Sequence, residues 1–121
     1  MSTNFGDYEA ITKTVQHYID GAISGKSDEM RLAFHPGATM FGYNGPDLMA
    51  VPIEELFNWH NQNGAAGGLK WHIASIDIEE TAASVRLELD NWTGHRFTDF
   101  FTLLKVEGEW KIINKTFHSH H

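Results

Sequence analysis

The stretch Ala82–His118, AASVRLELDNWTGHRFTDFFTLLKVEGEWKIINKTFH, holds three β-rich runs separated by Thr93-Gly94 and Glu107-Gly108. A two-residue loop ending in glycine between β-branched and aromatic runs is a hairpin signal, so the stretch reads as a β-meander. Such loops pair Trp92 with His95 and Val106 with Glu109, and side chains alternate from those pairs. One face then collects Val85, Leu87, Leu89, Phe100, Leu104 and Phe117, with Thr98 and Thr102 among them. The other collects Trp92, Phe97, Asp99, Phe101 and Trp110 with Arg86 and Glu88. Helices should cover the first face. The second would be an exposed aromatic patch, which predicts a homodimer through Trp92, Phe97, Asp99, Phe101 and Trp110. A one-residue bulge would exchange the two faces.

Upstream, Tyr8, Ile11, Val15, Tyr18, Ile19 and Ala22 recur at spacings of three and four, the stripe of an amphipathic helix over 7–24. Gly25 reads as its C-cap glycine. Ser27 is placed to cap a short second helix that Pro36 stops, leaving His35 at its exit. Residues 38–43 and 48–51 read as strands around the turn Asn44-Gly45-Pro46-Asp47. Pro52 suits the first position of a third helix, which carries Ile53, Leu56, Phe57 and His60 on one face and ends at Asn63-Gly64. The small-residue segment 64–68 reads as a mobile loop near the mouth of a pocket. Residues 69–79 form a further strand.

The chain has 121 residues, 41% hydrophobic and 21% charged, which fits a single domain over 1–121 with flexible ends at 1–6 and 119–121. Its net charge of -7 disfavours nucleic acid and anionic membrane surfaces. The absence of cysteine excludes disulfides, thiolate metal sites and cysteine nucleophiles, and permits a reducing compartment. No secretory signal and no apolar run of about 18 residues is visible, so the expectation is a cytoplasmic protein off the membrane.

Two segments, Tyr18-Ile19-Asp20-Gly21 and Phe34-His35-Pro36-Gly37-Ala38, together with Phe97-x-Asp99-Phe100-Phe101 and Gly108-Glu109-Trp110-Lys111-Ile112-Ile113-Asn114-Lys115, resemble the nuclear transport factor 2-like superfamily. Within it they resemble the branch labelled "putative lumazine-binding". The resemblance implies an α+β fold, a cone-shaped barrel of three N-terminal helices packed on a strongly curved, mostly antiparallel sheet. It transfers architecture rather than chemistry, because this scaffold hosts isomerases, dehydratases, cyclases and non-catalytic binders. In ketosteroid isomerase relatives, a helix-1 tyrosine and a late-strand aspartic acid form an oxyanion hole while a first-strand aspartate moves the proton. Tyr18 falls at the tyrosine position. Counting along the matching segments places Gly42 at the base and Thr102 at the second donor, which disfavours that reaction.

The histidines lack metal-ligand spacing, so no metal is expected, nor any other cofactor. His118, His120 and His121 read as a tail. Glu88 opposite Asp99 is a possible carboxylate pair, with a structural or interface role favoured over catalysis. The aromatics can instead wall an apolar cavity for a small apolar or planar molecule. Its expected walls are Tyr18, Trp59, Phe100 and Phe117, and its polar anchors are His35, Asn91 and Thr102. The leading reading is a small-molecule binder without assigned catalysis. Alternatives are a cyclase-, dehydratase- or isomerase-type enzyme using Tyr18 with His35 or His60 as base, and a dimeric interaction module with a filled core.

Overall fold

The computed structural model describes residues 5–120. Helix α1 (Phe5–Ser24) buries Ile11, Val15, Tyr18, Ile19 and Ala22, the stripe expected of it, while Tyr8 stays 41% exposed. Gly25, at φ 78°, ends it by donating its N–H to the Gly21 carbonyl at 3.0 Å. Helix α2 (Ser27–Arg31) is shorter than expected, and Lys26, not Ser27, occupies the N-cap. The two helices approach closely at Gly21, where a Cβ would lie 2.5 Å from the Met30 backbone nitrogen.

Strand β1 (Phe34–Asn44) begins four residues earlier than the sequence pattern suggested, taking in His35 and Pro36. The Ile112 N–H bonds the Ala33 carbonyl at 2.9 Å and Phe34 pairs with Ile112, so the final strand recruits this segment into the sheet. Strand β2 (Asp47–Pro52) follows the Gly45 turn, and Pro52 closes it instead of opening a helix. Helix α3 (Glu54–Asn63) ends at Gly64, at φ 81°. Strands β3 (Lys70–Glu79), β4 (Ala82–Trp92), β5 (His95–Val106) and β6 (Glu109–His120) complete the chain. The expected flexible ends thus contain the first two residues of α1 and the last residues of β6, and residues 1–4 and 121 lie outside the described residues.

The six strands form one curved, unclosed sheet in the order β2-β1-β6-β5-β4-β3, antiparallel except for the β1–β6 pair. The α+β cone architecture is therefore as the sequence indicated, with the sheet open at β2 and β3. Both hairpin loops are as read. Trp92 pairs with His95 and Val106 with Glu109, and all four loop residues have positive φ, as type I′ turns require.

Two bulges then overturn the assignment of faces. Between the Leu89–Phe97 and Trp92–His95 pairs, β4 has two residues where β5 has one, and Asn91 adopts φ 61°. Between the Leu103–Ile112 and Thr102–Asn114 pairs, β6 has the extra residue Ile113. Each bulge reverses the alternation beyond it. Trp92, Asp99, Phe101 and Trp110 are accordingly buried against the helices, none above 3% exposed, and Phe97 packs on the core's edge. The expected dimer face is the interior of the molecule. Phe100 and Leu104 lie on the outer face instead, 46% and 38% exposed.

Candidate functional site

A cavity of about 470 Å³ lies between α3, the β1–β2 hairpin and the inner side of β4–β6. Trp59 reaches it from α3, Trp92 and Phe97 from either side of the β4–β5 loop, and Phe117 from β6. The four rings form a chain: Trp59–Trp92, Trp92–Phe97 and Phe97–Phe117 each meet edge to face with centroids 6.2–6.3 Å apart. Met40, Met49, Val51 and Leu56 add apolar wall. Gly42 makes room for this arrangement, since a Cβ there would sit 2.5 Å from the Phe117 ring. A second depression of about 480 Å³, beside α2 at Lys26 and Asn61, is bounded by exposed or half-buried side chains and has no buried titratable group.

Lys115 is the lysine in the cavity wall. The Ile113 bulge turns it inward from β6, leaving its side chain 7% exposed. Its Nζ lies 3.6 Å from the Met40 Sδ, 4.7 Å from the Phe117 ring centroid and 3.9 Å from Asp99 Oδ1. Asp99 is fully buried, and its other oxygen accepts a 2.9 Å hydrogen bond from the Tyr18 hydroxyl. Tyr18 is held from α1 among the rings of Phe34, Trp92 and Phe101, at 5.3–5.8 Å. A relay Tyr18–Asp99–Lys115 thus runs from the core to the cavity.

Burial dominates the electrostatics. It lowers the Lys115 ammonium below the ordinary lysine range, against the opposing pull of Asp99. Burial also raises the Asp99 carboxyl, with Lys115 and Tyr18 acting the other way. The Tyr18 phenol is held well above its ordinary range by burial and then by the adjacent Asp99 charge, so it remains a donor. Two polar atoms here lack hydrogen-bond partners among the described residues: Asp99 Oδ1 and the indole nitrogen of Trp92. Natural interiors leave few such atoms, and these two sit at and behind a cavity wall.

Of the seven expected ligand residues, Trp59 and Phe117 line the cavity. Tyr18 lies behind it as a hydrogen-bond donor to Asp99. Phe100 and Thr102 are exposed on the outer face, for the bulge reason given above. Asn91 is exposed at the bulge itself and donates to the Gly68 carbonyl at 3.2 Å. His35 accepts the Gly37 N–H at 2.9 Å through Nδ1 and does not line the cavity. His60 is fully buried with Nε2 2.8 Å from the Gly21 carbonyl, so neither proposed histidine base meets the site. Glu88 is not opposite Asp99 either. It pairs with Thr98, whose hydroxyl holds the Glu88 carboxyl below the usual range.

The 64–68 loop expected at the pocket mouth is pinned to α1 by an Ala66 N–H to Ala22 carbonyl bond of 2.8 Å and contributes nothing to the cavity wall. Asp99 and Lys115 were the residues missed. The signal that could have found Asp99 is the alternation Phe97, Asp99, Phe101, Leu103, which continues the apolar face of β4 once one residue is skipped at Asn91. No comparable sign marks Ile113. Among the described residues no cluster of three or more potential metal ligands occurs, and no helix is long and apolar enough to cross a membrane.

Comparison with known proteins agrees with this architecture. A solved nuclear transport factor 2-like protein of unknown function from Methylobacillus flagellatus KT is 44% identical, with a TM-score of 0.95 over 98% of this chain and 96% of that one. Another from Shewanella baltica is 40% identical, with a TM-score of 0.94 over 100% and 99%. Aldolase FrzH of Cladobotryum sp is 30% identical over 115 residues, 94% of this chain and 92% of its own. The family described as "Putative lumazine-binding" matches residues 6–118. The chain belongs to that family, within the nuclear transport factor 2-like superfamily.

Proposed function

We propose that the protein binds a small organic molecule with a planar or aliphatic body in the aromatic cavity and acts on it there. The observation that carries this reading is the pairing of an apolar cavity of about 470 Å³ with a buried amine in its wall. That volume lies within the range of small-molecule sites, and the wall combines aromatic and apolar side chains with polar ones such as Asn44, Glu55, Gln62 and His95 that can orient a ligand. The Trp92 indole N–H supplies a free donor for orientation.

Catalysis is favoured over passive binding by the relay behind the wall. Three coupled titratable groups, two of them buried as an amine and a carboxyl, form a costly arrangement for a site that only fills space. The aldolase relative supports carbonyl chemistry for the reaction class. Lys115 and Asp99 here replace the histidine base of the sequence-based enzyme reading, and Tyr18 is a positioning residue for Asp99.

A thermal-shift screen of small planar aldehydes, ketones and heteroaromatics tests the binding claim. A ligand at a hundred times its Kd stabilises by about 2.7 kcal/mol, which raises the melting temperature of a domain this size by about 10 °C. The rise should vanish in Met49→Trp, which fills part of the cavity from the edge strand β2. A rise that survives this substitution would place the ligand elsewhere.

A further inference from the structure

We infer that Lys115 captures its ligand covalently, its Nζ forming an iminium with an aldehyde or ketone seated in the aromatic cavity while Asp99 moves the proton. This rests on the reading of the cavity as a ligand site and names its substrate class.

The geometry separates Lys115 from a structural ion pair. A buried lysine retained for its charge should be hydrogen-bonded to its carboxylate, because only close, well-satisfied pairs offset their desolvation. Here the nearest carboxylate oxygen is 3.9 Å away, and that oxygen has no hydrogen bond among the described residues. The other contacts of Nζ are a thioether at 3.6 Å and an aromatic face. An amine in such surroundings keeps its lone pair unspent. Lys115 is also the sole lysine or arginine among the described residues of the cavity wall. Burial favours its neutral form, as nucleophilic lysines require.

The chemistry balances with the groups present. The Nζ lone pair bonds to the carbonyl carbon, and the C=O π pair moves onto oxygen. A proton passes from nitrogen to that oxygen by way of Asp99, giving a neutral carbinolamine. The nitrogen lone pair then forms C=N as the C–O bond breaks, and the departing hydroxide takes the Asp99 carboxyl proton and leaves as water. Carbonyl, neutral amine and carboxylic acid become iminium, carboxylate and water. The product cation faces the Asp99 carboxylate, and Tyr18 holds the opposite carboxylate oxygen in place. No oxidant or reductant is needed.

Benzaldehyde with sodium cyanoborohydride tests this, since the reductant converts an iminium into a stable secondary amine carrying one benzyl group. The chain offers five control lysines: Lys13, Lys26, Lys70, Lys105 and Lys111. At neutral pH, peptide mapping should find Lys115 labelled about tenfold faster than any control, because burial favours the neutral, nucleophilic form of Lys115. Lys115→Met and Lys115→Arg should both lose the fast phase while still folding by circular dichroism, and Asp99→Asn should slow it. A melting-temperature rise with benzaldehyde but no preference for Lys115 overturns covalent capture and leaves the binding reading in place. Neither labelling nor any rise removes both.

Discussion

Removing the Asp99 carboxylate while keeping its shape, Asp99→Asn, isolates the interaction on which the site depends. Asp99 Oδ1 and Lys115 Nζ are 3.9 Å apart with side chains 1% and 7% exposed. Opposite unit charges at that separation and an effective dielectric of about 20 would attract by about 4 kcal/mol, but burial favours the neutral form of both groups. Beside a neutral amine, Asp99→Asn strands no charge and should cost about 1–2 kcal/mol at neutral pH, through the altered bond with Tyr18. Lys115→Met should cost less, since burial already favours the neutral Asp99 acid. The double variant should cost about the sum of the two single changes. The expected coupling energy is therefore below about 1 kcal/mol, read from urea denaturation of the four proteins. A coupling of about 3 kcal/mol or more, the scale of a buried ion pair, would refute the neutral amine on which covalent capture rests.

The pH dependence has a definite sign. Asp99 holds its proton more tightly folded than unfolded, so stability falls as pH rises from the ordinary aspartate value of 3.8 to the raised folded value. Lys115 holds its proton less tightly folded, so stability rises with pH from its lowered folded value to the ordinary 10.5. Urea midpoints across pH should show the first slope in the parent and not in Asp99→Asn. Tyr18→Phe removes the 2.9 Å bond to a buried carboxyl and should cost about 1–3 kcal/mol by chemical denaturation. Asn91→Val puts a β-branched residue at φ 61° and should lower stability by about 1–3 kcal/mol, whereas Asn91→Gly should be tolerated. Gly42→Ala pushes a methyl to within 2.5 Å of the Phe117 ring, and should both cost about 1–3 kcal/mol and weaken ligand-induced melting shifts.

Much of the architecture is legible because local signals fix it. The Thr93-Gly94 and Glu107-Gly108 loops take the backbone their residues predict, and the periodic stripe of α1 is the one it buries. The site was hidden by two single-residue insertions in the strand register. Asn91 is a weak marker, since asparagine tolerates positive φ but also occurs in ordinary strands. Ile113 gives no local cue at all, because its bulge is imposed by pairing β6 with β5 on one side and β1 on the other. Period-2 reasoning has no error tolerance: one skipped residue turned Asp99 from a buried group into an apparent surface one. Lys115 is missed for a different reason: the alternation that puts Phe117 on the helix-covered face puts Lys115 there too, but lysine is expected to face water.

The central claim is that ligand binds against Trp59 and Trp92, beside Lys115. The chain has four tryptophans, so a nitrogen-labelled sample gives four indole N–H signals that report position directly. Trp59 and Trp92 line the cavity, Trp110 is bonded to Asp7 at 3.2 Å, and Trp71 stands on β3 away from it. Titration with benzaldehyde should shift the Trp59 and Trp92 indole signals and leave those of Trp71 and Trp110 in place. Shifts confined to Trp71 or Trp110, or no shift at saturating probe, would contradict the account.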